Sequence, residues 1–265
     1  MQEKYKPMTK DIIDTFAIVR DVPESFRQCV STYNTSDDID TDRAILQHQL
    51  YCNTLSSLGL NLIRLDADDS LPDCCFTEDT VLIIDDLAII TNPGIQSRVA
   101  ETVALEKTLS LFKDVSRISL PGTLDGGDVL KIEKTLYIGI SSRTNAEGMR
   151  QVASVLEPRG YWIKPVEIRN TLHLKSVCTY LGNGLIILAE GYFDVNIFSG
   201  FEKIIVPKEE EYCANCLVVH KRVIIPKGFP ITKALIEEKG LPVIELEMSE
   251  FRKADGALTC LSVIF

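Results

Sequence analysis

Four short stretches of this 265-residue chain collect side chains capable of covalent and acid–base chemistry, and each stands directly before an apolar run. They are Asp73-Cys74-Cys75-Phe76-Thr77-Glu78-Asp79 before Val81, Asp125-Gly126-Gly127-Asp128 before Val129, His173-Leu174-Lys175-Ser176 before Val177, and the segment from Asp255 to Cys260 before Ser262. A cysteine attacks as its thiolate and needs a cationic neighbour to hold that form near neutral pH. Of the three histidines, His48 falls in a helical run and His220 in a hairpin turn. That leaves His173 as the natural partner, since imidazole both accepts and donates protons near pH 7. A carboxylate is then required to orient the ring, a role open to Asp125 or Asp128. Glu78 and Asp79, with Asp73 nearby, suit a planar cation held through paired hydrogen bonds. The same residue types bind metals, but their local spacing does not match a metal centre, and Cys213-Ala214-Asn215-Cys216 has neither a second CxxC nor a nearby histidine and reads as structural.

The elements that must position these groups repeat along the chain. Val81 to Ile84, the turn Asp85-Asp86 and Leu87 to Ile90 read as a hairpin, and Gln96 to Phe112 follows with helical spacing. The order returns with Val129 to Ile132, the turn Glu133-Lys134, Leu136 to Ile138, a helix from Asn145 to Leu156, and the strand Tyr161 to Ile163. A third unit runs from Ser176 to Leu188 with a helix expected near Phe193 to Phe198. A fourth has Leu217 to Val219, Val223 to Ile225, a helix from Ile231 to Lys239, and Pro242 to Leu246. The N-terminal part supplies Phe16 to Val19, a helix from about Asp42 to Leu58, and Leu62 to Leu65. Ser262 to Phe265 is the strand that this unit lacks. The expectation is an α/β propeller of five ββαβ units closed into a ring, because closure removes exposed sheet edges and brings the four polar stretches to one axis. Nothing between the units reads as a linker, so residues 1–265 form a single domain; Val30 to Asp42 is the expected mobile surface loop.

Composition narrows the partners. With 45% apolar and 25% charged residues the chain is an ordinary globule, and 28 basic against 38 acidic residues give a net charge of −10, which argues against a nucleic-acid footprint. No apolar run is long enough for a membrane span and the N-terminus lacks a secretory core, so the expected location is cytoplasmic and the eight cysteines are expected to be reduced.

Six segments in order along nearly the whole chain then carry a specific resemblance: Leu71-Pro72-Asp73 with Phe76-Thr77-Glu78-Asp79, Thr123 to Leu130, Ser142-Arg143-Thr144-Asn145, Leu172 to Ser176, Ala214-Asn215-Cys216, and Asp255 to Cys260. The chain resembles the dimethylarginine dimethylaminohydrolase family, and Arg43 to Cys52 resembles its animal branch. The resemblance implies the pentein fold of five ββαβ units, with Cys260 as nucleophile, His173 as general acid and base, and Asp125 orienting the imidazole. It implies substrate contacts at Asp73, Glu78, Asp79, Arg98 and Arg143, a lid backbone contact near Phe26, and a carbonyl contact at Ala254. The family's lid commonly has Leu where this chain has Phe26, and its acidic motif reads Phe-Val-Glu-Asp where Thr77 stands here.

The implied reaction takes free asymmetric dimethylarginine or monomethylarginine to citrulline and dimethylamine or methylamine, through a covalent thiouronium on Cys260. Its alternatives are an arginine deiminase-like hydrolase and a non-catalytic pentein that binds a partner. The small-molecule substrate is the expected partner of a monomer or homodimer. No cofactor and no metal is expected to be required, while Cys260 and His173 offer zinc an inhibitory site.

Overall fold

The computed structural model describes residues 15–32 and 38–265. Fifteen strands form five separate three-stranded sheets. β1 (Phe16–Arg20), α1 (Thr41–Ser57) and β2 (Asn61–Leu65) begin the first unit, and the C-terminal β15 (Val263–Ile264) completes it by pairing antiparallel with β1. The others are β3 (Val81–Ile84), β4 (Leu87–Ile90) and β5 (Asp114–Arg117); β6 (Val129–Ile132), β7 (Thr135–Ile140) and β8 (Trp162–Glu167); β9 (Cys178–Gly182), β10 (Leu185–Leu188) and β11 (Glu202–Ile205); and β12 (Leu217–Val219), β13 (Arg222–Pro226) and β14 (Val243–Leu246). In every sheet the central strand is antiparallel to one neighbour and parallel to the other, as a hairpin followed by a crossover requires.

The period of two along each central strand decides where its side chains go. In β4, Leu87 and Ile89 pack with Leu136 and Ile138 of β7, whereas Ala88 and Ile90 pack with Ile18 of β1. In β7, Tyr137 points the other way and packs with Ile186 and Leu188 of β10. Leu185 and Ile187 join Val223 and Ile225 of β13, while Ile224 joins Ala17 and Val19 of β1. Each central strand therefore buries both faces, which is why these strands read as short unbroken apolar runs. Every core cluster is shared by two sheets, the last and the first included.

The expected helices divide. α3 (Ala146–Leu156) starts where Asn145 accepts from the Gly148 amide, and α4 (Pro230–Glu238) starts with proline in its first turn. The helix expected from Gln96 to Phe112 is instead a 3-10 turn, Gln96–Glu101, followed by α2 (Thr102–Leu109). A 3-10 turn eclipses residues three apart, and here it lays Arg98 against Glu101 at 2.8 Å. The helix expected at Phe193 to Phe198 is only the 3-10 turn Val195–Phe198, opened by Asp194 and closed by Ser199-Gly200. Of the expected loop from Val30 to Asp42, residues 33–37 lie outside the described residues, Ile39 is buried, and Thr41 already belongs to α1. A final short helix, α5 (Ser249–Lys253), packs on α1 and leads into the Cys260 segment.

Candidate active site

All four polar stretches run into a 3-10 turn immediately before, or one residue short of, a strand, the first strand of a hairpin in three cases and the C-terminal β15 in the fourth: Thr77–Thr80, Gly126–Asp128, Leu174–Ser176 and Thr259–Leu261. The turns meet around one narrow cavity lined by Asp73, Asp79, Arg98, Arg143, His173, Ala254 and Cys260, with Val30, Phe76, Leu172, Asp255 and Gly256 beside them. Leu172 and Asp255 also line a wider cleft next to it.

His173 is the electrostatic centre. Its Nε2 lies 3.0 Å from Asp125 Oδ2 and its Nδ1 lies 3.9 Å from Asp79 Oδ1. Burial alone would lower its pKa, but Asp79, Asp125 and Asp128 outweigh burial and push it up to about 9. The ring therefore carries a proton at neutral pH. Asp125 is fixed in turn by the Gly94 amide at 2.8 Å, and its own amide donates to Thr144 Oγ1. Of Asp125 and Asp128, Asp125 is the one within hydrogen-bond reach of the ring. Asp128 faces away from Nε2, accepting from the Leu174 amide at 3.1 Å and the Ser141 hydroxyl at 2.6 Å. It braces the turn that carries His173 without orienting the ring.

Gly126 and Gly127 allow these turns to touch. A Cβ at Gly127 would lie 2.7 Å from His173 Nδ1 and 2.8 Å from Asp79 Oδ1, and one at Gly126 would collide with the Glu78 carbonyl. The Gly127 amide uses the space to donate to Asp79 Oδ1 at 2.9 Å.

Cys260 is half-buried at the cavity wall, the only one of the eight cysteines not fully buried, and all eight are free thiols. Burial raises its pKa, with Glu78 and Asp79 adding to the rise, so the thiol keeps its proton in the unliganded site. Cys213 and Cys216 are buried together in one core cluster, as a structural pair should be.

The residues expected to contact substrate fall into distinct states. Asp73 lines the cavity and receives the Val30 amide at 3.2 Å on both oxygens; burial raises its pKa against the pull of Arg98 and Arg143. Arg143 lines the cavity with no side-chain hydrogen bond to a described residue, its Nη1 3.9 Å from Asp125. Ala254 also lines it, next to Asp255, whose φ of 56° is left-handed.

Three residues stand differently from expectation. Arg98 is already engaged, donating to Asp79 at 2.7 Å, to both oxygens of Glu101, and to the Phe76 carbonyl at 3.1 Å. Glu78 does not line the cavity; Lys175 at 2.6 Å and Thr259 at 2.7 Å hold its carboxylate. Phe26 is fully buried against Phe76 and Phe251, with ring centroids 5.8 and 5.5 Å away, and the residue of its segment that reaches the cavity is Val30. Glu101 was not named in the sequence reading, and Lys175, Asn215 and Thr259 stood in its quoted segments without a role. Glu101 had a signal, three residues from Arg98, whereas Asn215 is joined to the site only by tertiary contacts. Among the described residues, the grouping able to surround a metal ion is Asp79, Asp125 and His173, without Cys260.

Known proteins resemble this chain over most of its length. A family model described as N,N dimethylarginine dimethylhydrolase, eukaryotic, matches residues 20–254. The N(G),N(G)-dimethylarginine dimethylaminohydrolase of Pseudomonas aeruginosa is 40% identical over 85% of this chain and 90% of its own length, and that of Streptomyces coelicolor is 34% identical over 93% and 95%. Among solved structures, a cysteine-to-serine variant of the Pseudomonas aeruginosa protein complexed with citrulline superposes with a TM-score of 0.90 at 36% identity, covering 94% of this chain and 98% of that one. A histidine-to-glycine variant of a dimethylarginine dimethylaminohydrolase, an adduct with S-methyl-L-thiocitrulline, gives 0.91 at 37% identity, covering 94% and 99%.

Proposed function

The chain belongs to the dimethylarginine dimethylaminohydrolase family, and from that premise we propose that it hydrolyses free asymmetric dimethylarginine or monomethylarginine to citrulline and dimethylamine or methylamine, with Cys260, His173 and Asp125 as its catalytic set. The observation that carries the assignment of roles is the meeting of Cys260 with a protonated His173, itself held 3.0 Å from Asp125, in one narrow acidic cavity.

The guanidinium carbon is stabilised by resonance, so attack needs a thiolate and a leaving amine that is protonated as it departs. The substrate supplies the first condition itself. Its positive charge offsets Glu78 and Asp79, which raise the Cys260 pKa, so the thiol proton leaves to solvent as the cation binds. Cys260 Sγ then bonds to the guanidinium carbon, and His173 gives its proton to the amine nitrogen as the C–N bond breaks. The result is a thiouronium on Cys260 and a neutral imidazole. That imidazole takes a proton from water and the hydroxyl adds to the same carbon; the C–S bond then breaks to return the thiolate, and the hydroxyl proton leaves to solvent as the carbonyl of citrulline forms. Asp125 keeps Nε2 aligned through both proton transfers.

Arg143 reads the substrate carboxylate and Asp73 its α-ammonium, which selects a free amino acid over a residue within a peptide. Cys260→Ser tests the core of this reading. The variant is expected to bind substrate but to form citrulline at less than about 1% of the wild-type rate, because a serine hydroxyl without a strong base is a poor nucleophile. Substantial citrulline formation by that variant would remove Cys260 from its role, and equal rates on arginine and dimethylarginine would move the enzyme to deiminase chemistry.

A further inference from the structure

Four residues behind the cavity close a hydrogen-bond cycle. Asn215 Nδ2 donates to the Lys175 carbonyl at 2.9 Å and to Thr259 Oγ1 at 3.0 Å, and Asn215 Oδ1 accepts from the Thr259 amide at 3.2 Å. The Thr259 hydroxyl donates to Glu78 Oε2 at 2.7 Å, and Lys175 Nζ donates to Glu78 Oε1 at 2.6 Å. The members come from the turns preceding four different sheets. Lys175 lies two residues after His173 and Thr259 lies immediately before Cys260. Asn215 bonds both turns, and does so from a fully buried position, 2% exposed, just before β12.

We propose that Asn215 is a positioning residue for hydrolysis, fixing the turn that carries Cys260 to the turn that carries His173. This rests on the catalytic roles assigned above. Two of its three bonds go to backbone groups, so they set where the turns lie and do not depend on side-chain rotamers. The third directs the Thr259 hydroxyl, leaving its proton for Glu78. An amide is the side chain that can do all three, because it offers an acceptor and two donor hydrogens on one planar group. Burial makes each bond costly to leave unmade, so the cycle holds one arrangement. Sulfur attack on the carbon and proton transfer to the nitrogen bonded to it require both groups in register, and a displacement of about 1 Å can lower a rate by roughly a hundredfold. Asp73 and Arg143, which grip the amino-acid end, lie outside the cycle, so ground-state binding does not depend on it.

The test is a kinetic series with dimethylarginine alongside alkylation of Cys260 by 2-chloroacetamidine, on protein whose fold is checked by near-UV circular dichroism. Asn215→Ala is expected to lower kcat by about 30- to 100-fold with KM changed by less than about threefold, and to slow the alkylation. Thr259→Val, which keeps the amide bond to Asn215 and loses only the hydroxyl, is expected to fall in between; it serves if Asn215→Ala does not fold. Thr259→Ser restores the hydroxyl and is expected to recover most of the loss. The proposal is overturned if either folded variant, Asn215→Ala or Thr259→Val, keeps kcat within about twofold, or if KM rises as steeply as kcat falls, the signature of a generally distorted pocket. Failure of the functional reading shows separately, as wild-type protein that forms no citrulline. The alkylation rates then decide the positioning role alone, with unchanged Cys260 reactivity in Asn215→Ala counting against it.

Discussion

Arg98 and Arg143 occupy the same place in two successive units, just past the second hairpin strand and ahead of the helix, yet they end in opposite electrostatic states. Arg98 is enclosed by Asp79, Glu101 and the Phe76 carbonyl and spends its donors inside the protein. Among the described residues, Arg143 meets no carboxylate within hydrogen-bond reach; Asp125 is 3.9 Å away and already engaged with His173 and the Gly94 amide. The difference lies in the neighbours. Arg98 has a glutamate three residues on, in a 3-10 turn that stacks the two side chains, whereas Arg143 is followed by Thr144 and Asn145, which turn to the Asp125 amide and to the cap of α3. One cation is bound within the protein and the other lines the cavity without a side-chain hydrogen bond to a described residue.

The largest expected effect breaks the Arg98 half. Arg98→Met removes the shared partner of two buried carboxylates, Asp79 and Glu101, and breaking a buried pair in this way costs about 3–5 kcal/mol. The urea midpoint should drop accordingly, and adding Glu101→Leu should recover part of the loss. A stable Arg98→Met protein with only a raised KM would make Arg98 a ligand contact like Arg143 and dissolve the distinction.

Next in size is a pH effect centred on His173, which Arg98 influences through Asp79. The folded-state pKa of about 9 lies above the ordinary value of 6.5. The stabilisation by the surrounding carboxylates is therefore complete below about pH 6.5 and is lost as pH rises through about 9, amounting to as much as about 3 kcal/mol. The Tm of wild type should fall between pH 7 and 9.5 more steeply than that of His173→Asn. Parallel profiles would show that the ring is not held protonated by Asp79 and Asp125.

The Arg143 half predicts a smaller, purely functional change. Arg143→Lys keeps the charge but loses the planar fork, so KM should rise about 10- to 100-fold with little change in Tm or kcat. An N-acetylated, C-amidated methylarginine should be a correspondingly poor substrate. Equal kcat/KM for the blocked and free compounds would show that Arg143 does not read the amino-acid end.

How much of this was legible in the sequence follows the same division between local and distant causes. The hairpins were readable because period-two burial and two-residue turns are local, and β3, β4, β6 and β10 fall where the apolar runs place them. The meeting of the four polar stretches was readable because a repeated unit puts equivalent positions together. What could not be read was which polar group another would consume. Glu78 and Asp79 are adjacent, yet Lys175 and Thr259 take one while Arg98 and Gly127 take the other, partners 19 to 181 residues away. Asn215 stood in one of the segments that carry the resemblance, but nothing local tied it to Thr259, 44 residues away.

The smallest effect concerns one loose end on the Arg98 side, at the turn that carries Asp79. Thr77 is fully buried, and its Oγ1 has no hydrogen-bond partner among the described residues. The turn bonds past it, with the Thr80 hydroxyl donating to the Thr77 carbonyl and the Arg98 guanidinium reaching the Phe76 carbonyl. A buried hydroxyl without a partner has lost its water and gained nothing, whereas valine fills the same volume with a methyl group. Thr77→Val is therefore expected to raise stability by about 1 kcal/mol, read as a higher urea midpoint with an unchanged m-value. KM and kcat should stay as they are, because the hydroxyl touches neither the cavity nor the carboxylate of Asp79. A loss of stability would mean that the hydroxyl has a partner after all, and that this half of the site is held together by one more bond than Arg98 and Glu101 provide.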